Sequence, residues 1–232
     1  NICNLFASYF ESVYTQNTPH QRLFSSCTSE EPFLTLDDFD VDLVDVYRSL
    51  LSLNIKKGAG PDGLPNIFLK NCAVSLCEPF SHIFRTSLQQ GSFPMDWKTS
   101  YICPIHKDGP RTDVINYRPI CIQSALAKLF EKLILPQLTS FFSNILTSKQ
   151  HGFIGGRSTT SNLFTYTNHL LNALNAGHKV HTVYTDFSKA FDSVDHDILL
   201  NKLKEHGYNA VSGVPQGSHL GPILFNVFVN DI

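Results

Sequence analysis

The sequence predicts an α+β fold, and three observations predict it. Apolar residues recur at helical spacing through much of the first 180 residues. Two stretches rich in β-branched and aromatic residues, 97–107 and 115–123, interrupt that rhythm. A short apolar run, 180–185, then leads into Asp186 where the period changes from strand to helix. The 232 residues are 42% hydrophobic and include 18 Phe, which is enough apolar material for a folded core of one or two domains and unlike a disordered chain.

The opening NICNLFASYFESVYT carries Ile2, Leu5, Phe6, Tyr9, Phe10 and Val13 on one helical face, so it predicts an amphipathic helix that packs. Residues 16–36, rich in Thr, Ser, Pro and Gln, read as an exposed loop. A second helix starts near Asp40 and runs through LVDVYRSLLSL, with acidic side chains at the positive end of its dipole. NIKKGAGPDGLP (54–65) is a turn-rich loop in which Asp62 is a turn residue. It is not a Walker loop, because its lysines precede the glycines and no Gly-Lys-Ser/Thr opens a helix.

Residues 73–88 read as helix, Gly91 to Pro94 as a break, and 97–107 and 115–123 as extended runs. Ser124 is an N-cap for a helix carrying Leu126, Leu129, Phe130, Leu133 and Ile134, which Pro136 kinks or ends. Residues 159–176 form another helix, closed by Gly177. No period of twenty to fifty residues recurs, which argues against a solenoid.

Six cysteines form no CxxC pair and no zinc-spaced cluster, so reduced, mostly buried thiols are expected, and His178 and His181 receive no role. Neither a leader nor a membrane span is indicated, and the expected location is intracellular, with nucleus and cytoplasm both open. Net charge is −2, but residues 30–45 hold seven acidic side chains and no basic one; from Val46 onward 17 Lys+Arg face 12 Asp+Glu, a balance of +5 that suits a phosphate-tracking surface and is also ordinary for a soluble domain.

Read without its neighbours, Asp186 is a helix cap, Phe191 a core residue four positions from Phe187, and Asp192, Asp195, His196 and Asp197 a capped and solvated helix start. In HTVYTDFSKAFDSVDHDILL (181–200) and SGVPQGSHLGPILFNVFVNDI (212–232) the pattern is more specific. In this order they resemble the palm of reverse transcriptases from non-LTR (LINE-type, jockey-like) retrotransposons. NIKKGAGPDGLP resembles that family's KSPGPDGIP-like element, PIHKDGPRTDVINYRPI (104–120) its PI-x-K-x-G…NYRPI element, and QHGFIGGRSTTSNL (150–163) its QxGFRxGRST element. Together the five motifs cover residues 56–232.

The resemblance implies a right-hand polymerase: an N-terminal helix and linker (1–36), a fingers-like region (37–178) and a partial palm (179–232). It implies an RNA-directed DNA polymerase that uses an RNA template, a DNA primer, deoxynucleoside triphosphates and Mg²⁺ or Mn²⁺. Asp186 matches the first metal-binding aspartate, with the backbone carbonyl of Phe187 as a further metal and nucleotide contact. Phe191 matches the residue beneath the incoming sugar that disfavours a 2′ hydroxyl. Lys107 and Arg118 match the triphosphate-binding cations, Gln216 and Gly217 the nucleotide-contacting loop, and Arg157 a template or primer contact. Arg111 reads as a surface cation.

Two departures are expected to matter. The family's (F/Y)-x-D-D hairpin has no match before Ile232, and Asp231 does not replace it. Residues 209–211 stand where the family carries a further helix and strands. The family's endonuclease, thumb and zinc-knuckle parts have no match either, so the expectation is a truncated polymerase, inactive as an isolated fragment. The alternative is a non-enzymatic binder of RNA or RNA–DNA hybrid; an unrelated helical scaffold requires all five motifs to be accidental. Oligomeric state stays open.

Overall fold

The protein was analysed as a computed structural model that describes residues 1–13, 40–187, 190–191, 194–205 and 219–230. In chain order the described elements are α1 (Ile2–Val13), α2 (Leu43–Leu51), α3 (Asn66–Asn71), α4 (Ala73–Gln89), α5 (Met95–Lys98), β1 (Ser100–His106), β2 (Tyr117–Gln123), α6 (Ala125–Ser143), α7 (Thr159–Asn175), α8 (His196–Glu205) and α9 (Gly221–Phe228). The mixture of helices with a small sheet agrees with the α+β reading.

The core is helical. α6 presents Leu126, Leu129, Phe130, Ile134, Leu138 and Phe142 every three or four residues, and all are buried. Phe130 stacks on Phe84 of α4 at 4.9 Å between centroids, Trp97 of α5 meets Phe84 edge-on at 5.5 Å, and Phe93 stacks on Phe130 at 5.9 Å. Such ring pairs add about 0.5–1.5 kcal/mol each beyond the burial of their area. Leu199 and Leu203 of α8 and Ile223, Leu224 and Val227 of α9 join the same cluster, with Val46 and Leu50 of α2. Two polar contacts bind α6 to the ends of α2: Gln137 Nε2 donates to the Asp40 carbonyl (3.1 Å) and Lys132 Nζ to Ser52 Oγ (3.3 Å).

Local signals place most boundaries. The Ser124 hydroxyl accepts from the N–H groups of Leu126 and Ala127 (3.1 and 3.3 Å), capping α6 as its sequence position predicts. Ser158 and Ser161 exchange reciprocal bonds at the start of α7, and Gly177 ends it at φ +77°. Asp195 Oδ1 accepts from the N–H groups of Asp197 and Ile198 (3.0 and 3.1 Å), the capping role expected for that acidic run. Cys3, Cys72, Cys77 and Cys103 are free thiols. Among the described residues no helix is long and apolar enough to cross a membrane.

Three expectations need correction. Residues 180–185 form no strand: the segment has no ladder partner among the described residues, and Val183 and Tyr184 are 85% and 81% exposed. An apolar run becomes a strand only where a neighbour takes up its N–H and C=O groups. Pro136 does not end α6, because it lies on the exposed face and the carbonyl it leaves unpaired belongs to exposed Lys132. Trp97 belongs to α5 rather than to the strand, which begins at Ser100. The calls on residues 16–36, 209–211 and Gln216–Gly217, and on Asp192 and Asp231, lie outside the described residues.

The loop at 54–65 is pinned by one close approach. A Cβ on Gly60 would lie 2.7 Å from the Ser124 Cα and 2.8 Å from the Gln123 carbonyl, both backbone atoms. Gly60→Ala is therefore expected to destabilise the fold by about 1–3 kcal/mol, as overpacking does. Gly58→Ala, with nothing within 4 Å, should stay within about 0.5 kcal/mol. Denaturant midpoints compare the two; equal effects would show that the loop does not depend on α6.

Candidate functional site

β1 and β2 pair antiparallel, with Ile105 opposite Arg118 and His106 opposite Tyr117; the Lys107 N–H continues the ladder to the Asn116 carbonyl at 2.8 Å. Side chains alternate between faces, so Lys107 shares a face with Ile105 and Arg118 and is a diagonal neighbour of Arg118, a relation that spans about 7–8 Å. That face also carries Tyr101, Ile120 and Ile122, all exposed, and both cations reach solvent. The opposite face buries Pro119, Cys121 and Gln123. The connection is held by His106 Nε2 near the Gly109 carbonyl (3.0 Å), Asn116 Nδ2 donating to the Pro110 carbonyl (2.9 Å) and the Tyr117 hydroxyl donating to the Arg111 carbonyl (2.9 Å). Phe6 of α1 sits edge-on to Tyr117 at 4.9 Å. Two cations are thus held side by side on a braced hairpin, a geometry that suits an anionic ligand.

A second assembly joins three of the sequence motifs. Gln150 Nε2 donates to Asn226 Oδ1 (3.0 Å) and to the Gly152 carbonyl (3.2 Å), while Asn226 Nδ2 donates to the same carbonyl (3.0 Å). Asn226 is buried, so these bonds satisfy an amide that water cannot reach. Above them Phe191 packs against Phe225 at 4.7 Å and Phe153 at 5.9 Å. Phe153 holds φ +59°, an uncommon conformation for a bulky residue. Arg157 donates through Nη1 to the carbonyls of Ser148 (2.8 Å) and Gln150 and so folds this loop onto itself. Asn230 repeats the pattern at the end of α9, with its side chain accepting from the Thr147 N–H (2.8 Å) and donating to the Ile145 carbonyl (3.2 Å).

A third contact links the hairpin to the residues leading into α9. Glu131 of α6 is buried; its carboxylate accepts from the His219 N–H (2.6 Å) and from Gln123 Nε2 (3.2 Å). Loss of solvent raises its pKa above the ordinary 4.5, and the two donors offset part of that rise. The His219 imidazole is held below the usual histidine range, first by loss of solvent on one side and then by the charges of Lys128, Lys132 and Lys57.

Asp186 and Phe187 lie on the exposed segment 178–187. That segment is tied to α7 by the Tyr166 hydroxyl, which donates to Thr182 Oγ1 (2.9 Å) and lies 2.9 Å from the Tyr184 hydroxyl. Among the described residues no three Asp, Glu, His or Cys side chains gather as metal ligands. The described donors alone do not complete a two-metal centre.

The structure thus brings Lys107 and Arg118 together on one face, and Phe191 against the 150–153 loop and α9. Sequence reasoning assigned no role to Gln150, Phe153, Phe225, Asn226 or Glu131. Gln150, Phe153, Phe225 and Asn226 all stand inside the quoted motifs, which was the available signal. Glu131 carried a weaker one: a carboxylate among the apolar residues of α6.

Residues 105–232 match the model of the reverse transcriptase (RNA-dependent DNA polymerase) family. The chain is similar to the probable RNA-directed DNA polymerase from transposon BS of Drosophila melanogaster, at 31% identity over 99% of this chain and 29% of that protein. It is similar at 31% identity to the RNA-directed DNA polymerase from mobile element jockey of the same species, over 100% of this chain and 27% of that protein, and at 28% to the probable polymerase from transposon X-element, over 81% of this chain. The chain therefore spans less than a third of the length of these relatives. The jockey alignment runs over 263 positions against 232 residues here, so about 31 of its positions face gaps in this chain. The X-element alignment, 219 positions against 81% of 232 residues, shows the same excess of about 31.

The raised Glu131 pKa has a stability consequence of definite sign. A carboxyl whose folded pKa exceeds its unfolded value contributes fully below the unfolded value and loses that contribution as pH rises through the folded one. Relative to Glu131→Gln, the native chain should lose stability as pH rises above about 4.5, in paired denaturation curves. A difference between the two proteins that is constant with pH would remove burial as the cause. Asn226→Leu should cost about 1–3 kcal/mol by leaving the Gln150 amide without its buried partner, measured by thermal unfolding.

Proposed function

Because this chain belongs to the reverse transcriptase (RNA-dependent DNA polymerase) family and is related to polymerases of non-LTR transposons, we propose that it is the fingers and part of the palm of an RNA-directed DNA polymerase. Residues 37–178 form the fingers-like region and 179–232 the partial palm, preceded by an N-terminal helix and linker at 1–36. The parental reaction is template-directed attack of a primer 3′ hydroxyl on a deoxynucleotide α-phosphate. The observation that carries this reading is a family match that begins at the hairpin and contains Lys107, Arg118, Arg157, Asp186, Phe191, Gln216 and Gly217 in family order.

In this reading the partners are an RNA template, a DNA primer and deoxynucleoside triphosphates. Lys107 and Arg118 hold the triphosphate, and the planar guanidinium binds two phosphate oxygens at once. Phe191, supported by Phe225 and Phe153, presents a fixed ring beneath the sugar and excludes a 2′ hydroxyl by size. Gln216 and Gly217 approach the nucleotide. Arg157, its guanidinium engaged with two loop carbonyls, acts on the template or primer by shaping the loop. The family's divalent cations, Mg²⁺ or Mn²⁺, would use Asp186 and the Phe187 carbonyl. They need further carboxylates to complete the site.

As an isolated chain the protein is inactive or nearly so. Support for this comes from the roughly thirty to forty aligned positions of the BS and jockey polymerases that face gaps in this chain. The alternative, a non-enzymatic binder of RNA or RNA–DNA hybrid, draws on the two exposed hairpin cations, Lys107 and Arg118.

Purified chain is expected to give no sustained extension of a DNA primer on an RNA template; extension at the level of a full-length relative would refute inactivity. It should nonetheless bind a primed RNA template, with affinity falling as salt rises. Lys107→Ala and Arg118→Ala should each weaken binding several-fold and lower the slope of log affinity against log salt by about 0.7–0.9. Binding that ignores both substitutions would remove the hairpin from the interface.

A further inference from the structure

α1 grips the hairpin that carries the two cations, and it does so by two routes. The first is a chain of rings. Phe6 meets Tyr117 edge-on at 4.9 Å between centroids, and Tyr117 meets His106 edge-on at 5.2 Å. His106 and Tyr117 face each other in the ladder, one position before Lys107 and one position before Arg118. Successive residues of a strand point to opposite faces, so the rings occupy one side of the hairpin and the cations the other. The second route is through backbone. α1 lies against the short 3₁₀ turn Val114–Asn116. The Asn116 carbonyl accepts the Lys107 N–H at 2.8 Å, and its side chain donates to the Pro110 carbonyl at 2.9 Å. The turn is tight: a Cβ on Gly109 would fall 2.7 Å from Asn116 Nδ2.

Among the described residues the core cluster includes no side chain of α1. Nor does the helix bring a phosphate ligand, because Glu11 is the one charged side chain between Ile2 and Val13. What such a helix can set is the geometry of the two cations. Holding them at a fixed spacing before the ligand arrives removes an ordering cost from binding.

We propose that α1 is a working part of the hairpin's phosphate site, with Phe6 a positioning residue that acts through Tyr117 and Asn116 on Lys107 and Arg118. The proposal rests on the reading of those two cations as phosphate ligands. It adds the N-terminal helix, which carries no cation, to the machinery that binds nucleotide or nucleic-acid phosphate.

The test uses the whole chain and a primed RNA template. Phe6→Ala should weaken binding about threefold to tenfold, the scale of one lost ring pair, and lower the slope of log affinity against log salt by as much as about 0.7–0.9 although no charge is removed. Phe6→Tyr should restore both. Leu5→Ser, at a position 63% exposed on the same helix, should leave both unchanged. In a Lys107→Ala/Arg118→Ala chain, adding Phe6→Ala should weaken binding no further. Hydrogen exchange supplies a readout without ligand: the Lys107 amide should exchange faster in Phe6→Ala while amides of α6 keep their native rates. A loss of affinity at unchanged salt slope overturns the proposal, since Phe6 would then stack directly on a base or serve the fold in general. Native affinity in Phe6→Ala, where Lys107→Ala binds weakly, overturns the proposal alone. If neither cation substitution affects binding, the reading of the hairpin fails and the proposal falls with it. Should Phe6→Ala not fold by circular dichroism, Phe6→Leu, which keeps apolar bulk without a ring, is judged by the same outcomes.

Discussion

The junction between β2 and α6, Gln123 followed by Ser124, is the contact on which the other parts converge. Ser124 is fully buried and caps α6, the helix that runs through the core. Its Cα and the Gln123 carbonyl lie against Gly60, which fixes the glycine-rich loop. The Gln123 side chain reaches Glu131, and Glu131 holds the residue before α9 through the His219 N–H. One turn of backbone thereby ties together the loop at 54–65, the hairpin and the entry to α9. None of these has a core of its own. Gln123 Oε1 is buried with no hydrogen-bond partner, so the junction carries some polar strain along with its packing.

How much of this the sequence showed depends on how local the cause was. Ser124, Asp195 and Gly177 act within four residues of themselves, and the helix ends they predict are where the chain places them. The hairpin strands were legible because β-branched and aromatic residues cluster in both and each finds the other ten residues away. Residues 180–185 carry the same local signal and form no strand, since a strand needs a neighbour that no local pattern supplies. Pro136 shows the converse: its effect is set by which side of α6 faces water, and that is a tertiary property.

The candidate site divides along the same line. Lys107, Arg118, Asp186 and Phe191 were found through motifs, which record spacing along the chain. The contacts that build the assembly around Phe191 are distant in sequence: Phe225 lies 34 positions from Phe191, and Asn226 lies 76 from Gln150. Arg157 was assigned outward to nucleic acid, whereas its guanidinium turns inward to two carbonyls. A motif identifies the residue type and leaves open the direction in which it points.

The paired amides of Gln150 and Asn226 also constrain how copies of such a sequence can diverge. Each amide supplies what the other lacks inside a buried contact, so a change at one position alone strands a polar group. A viable lineage therefore changes both together or neither. Sequences that have drifted without selection would show the two positions varying independently, and those still held to a folded state would show them linked.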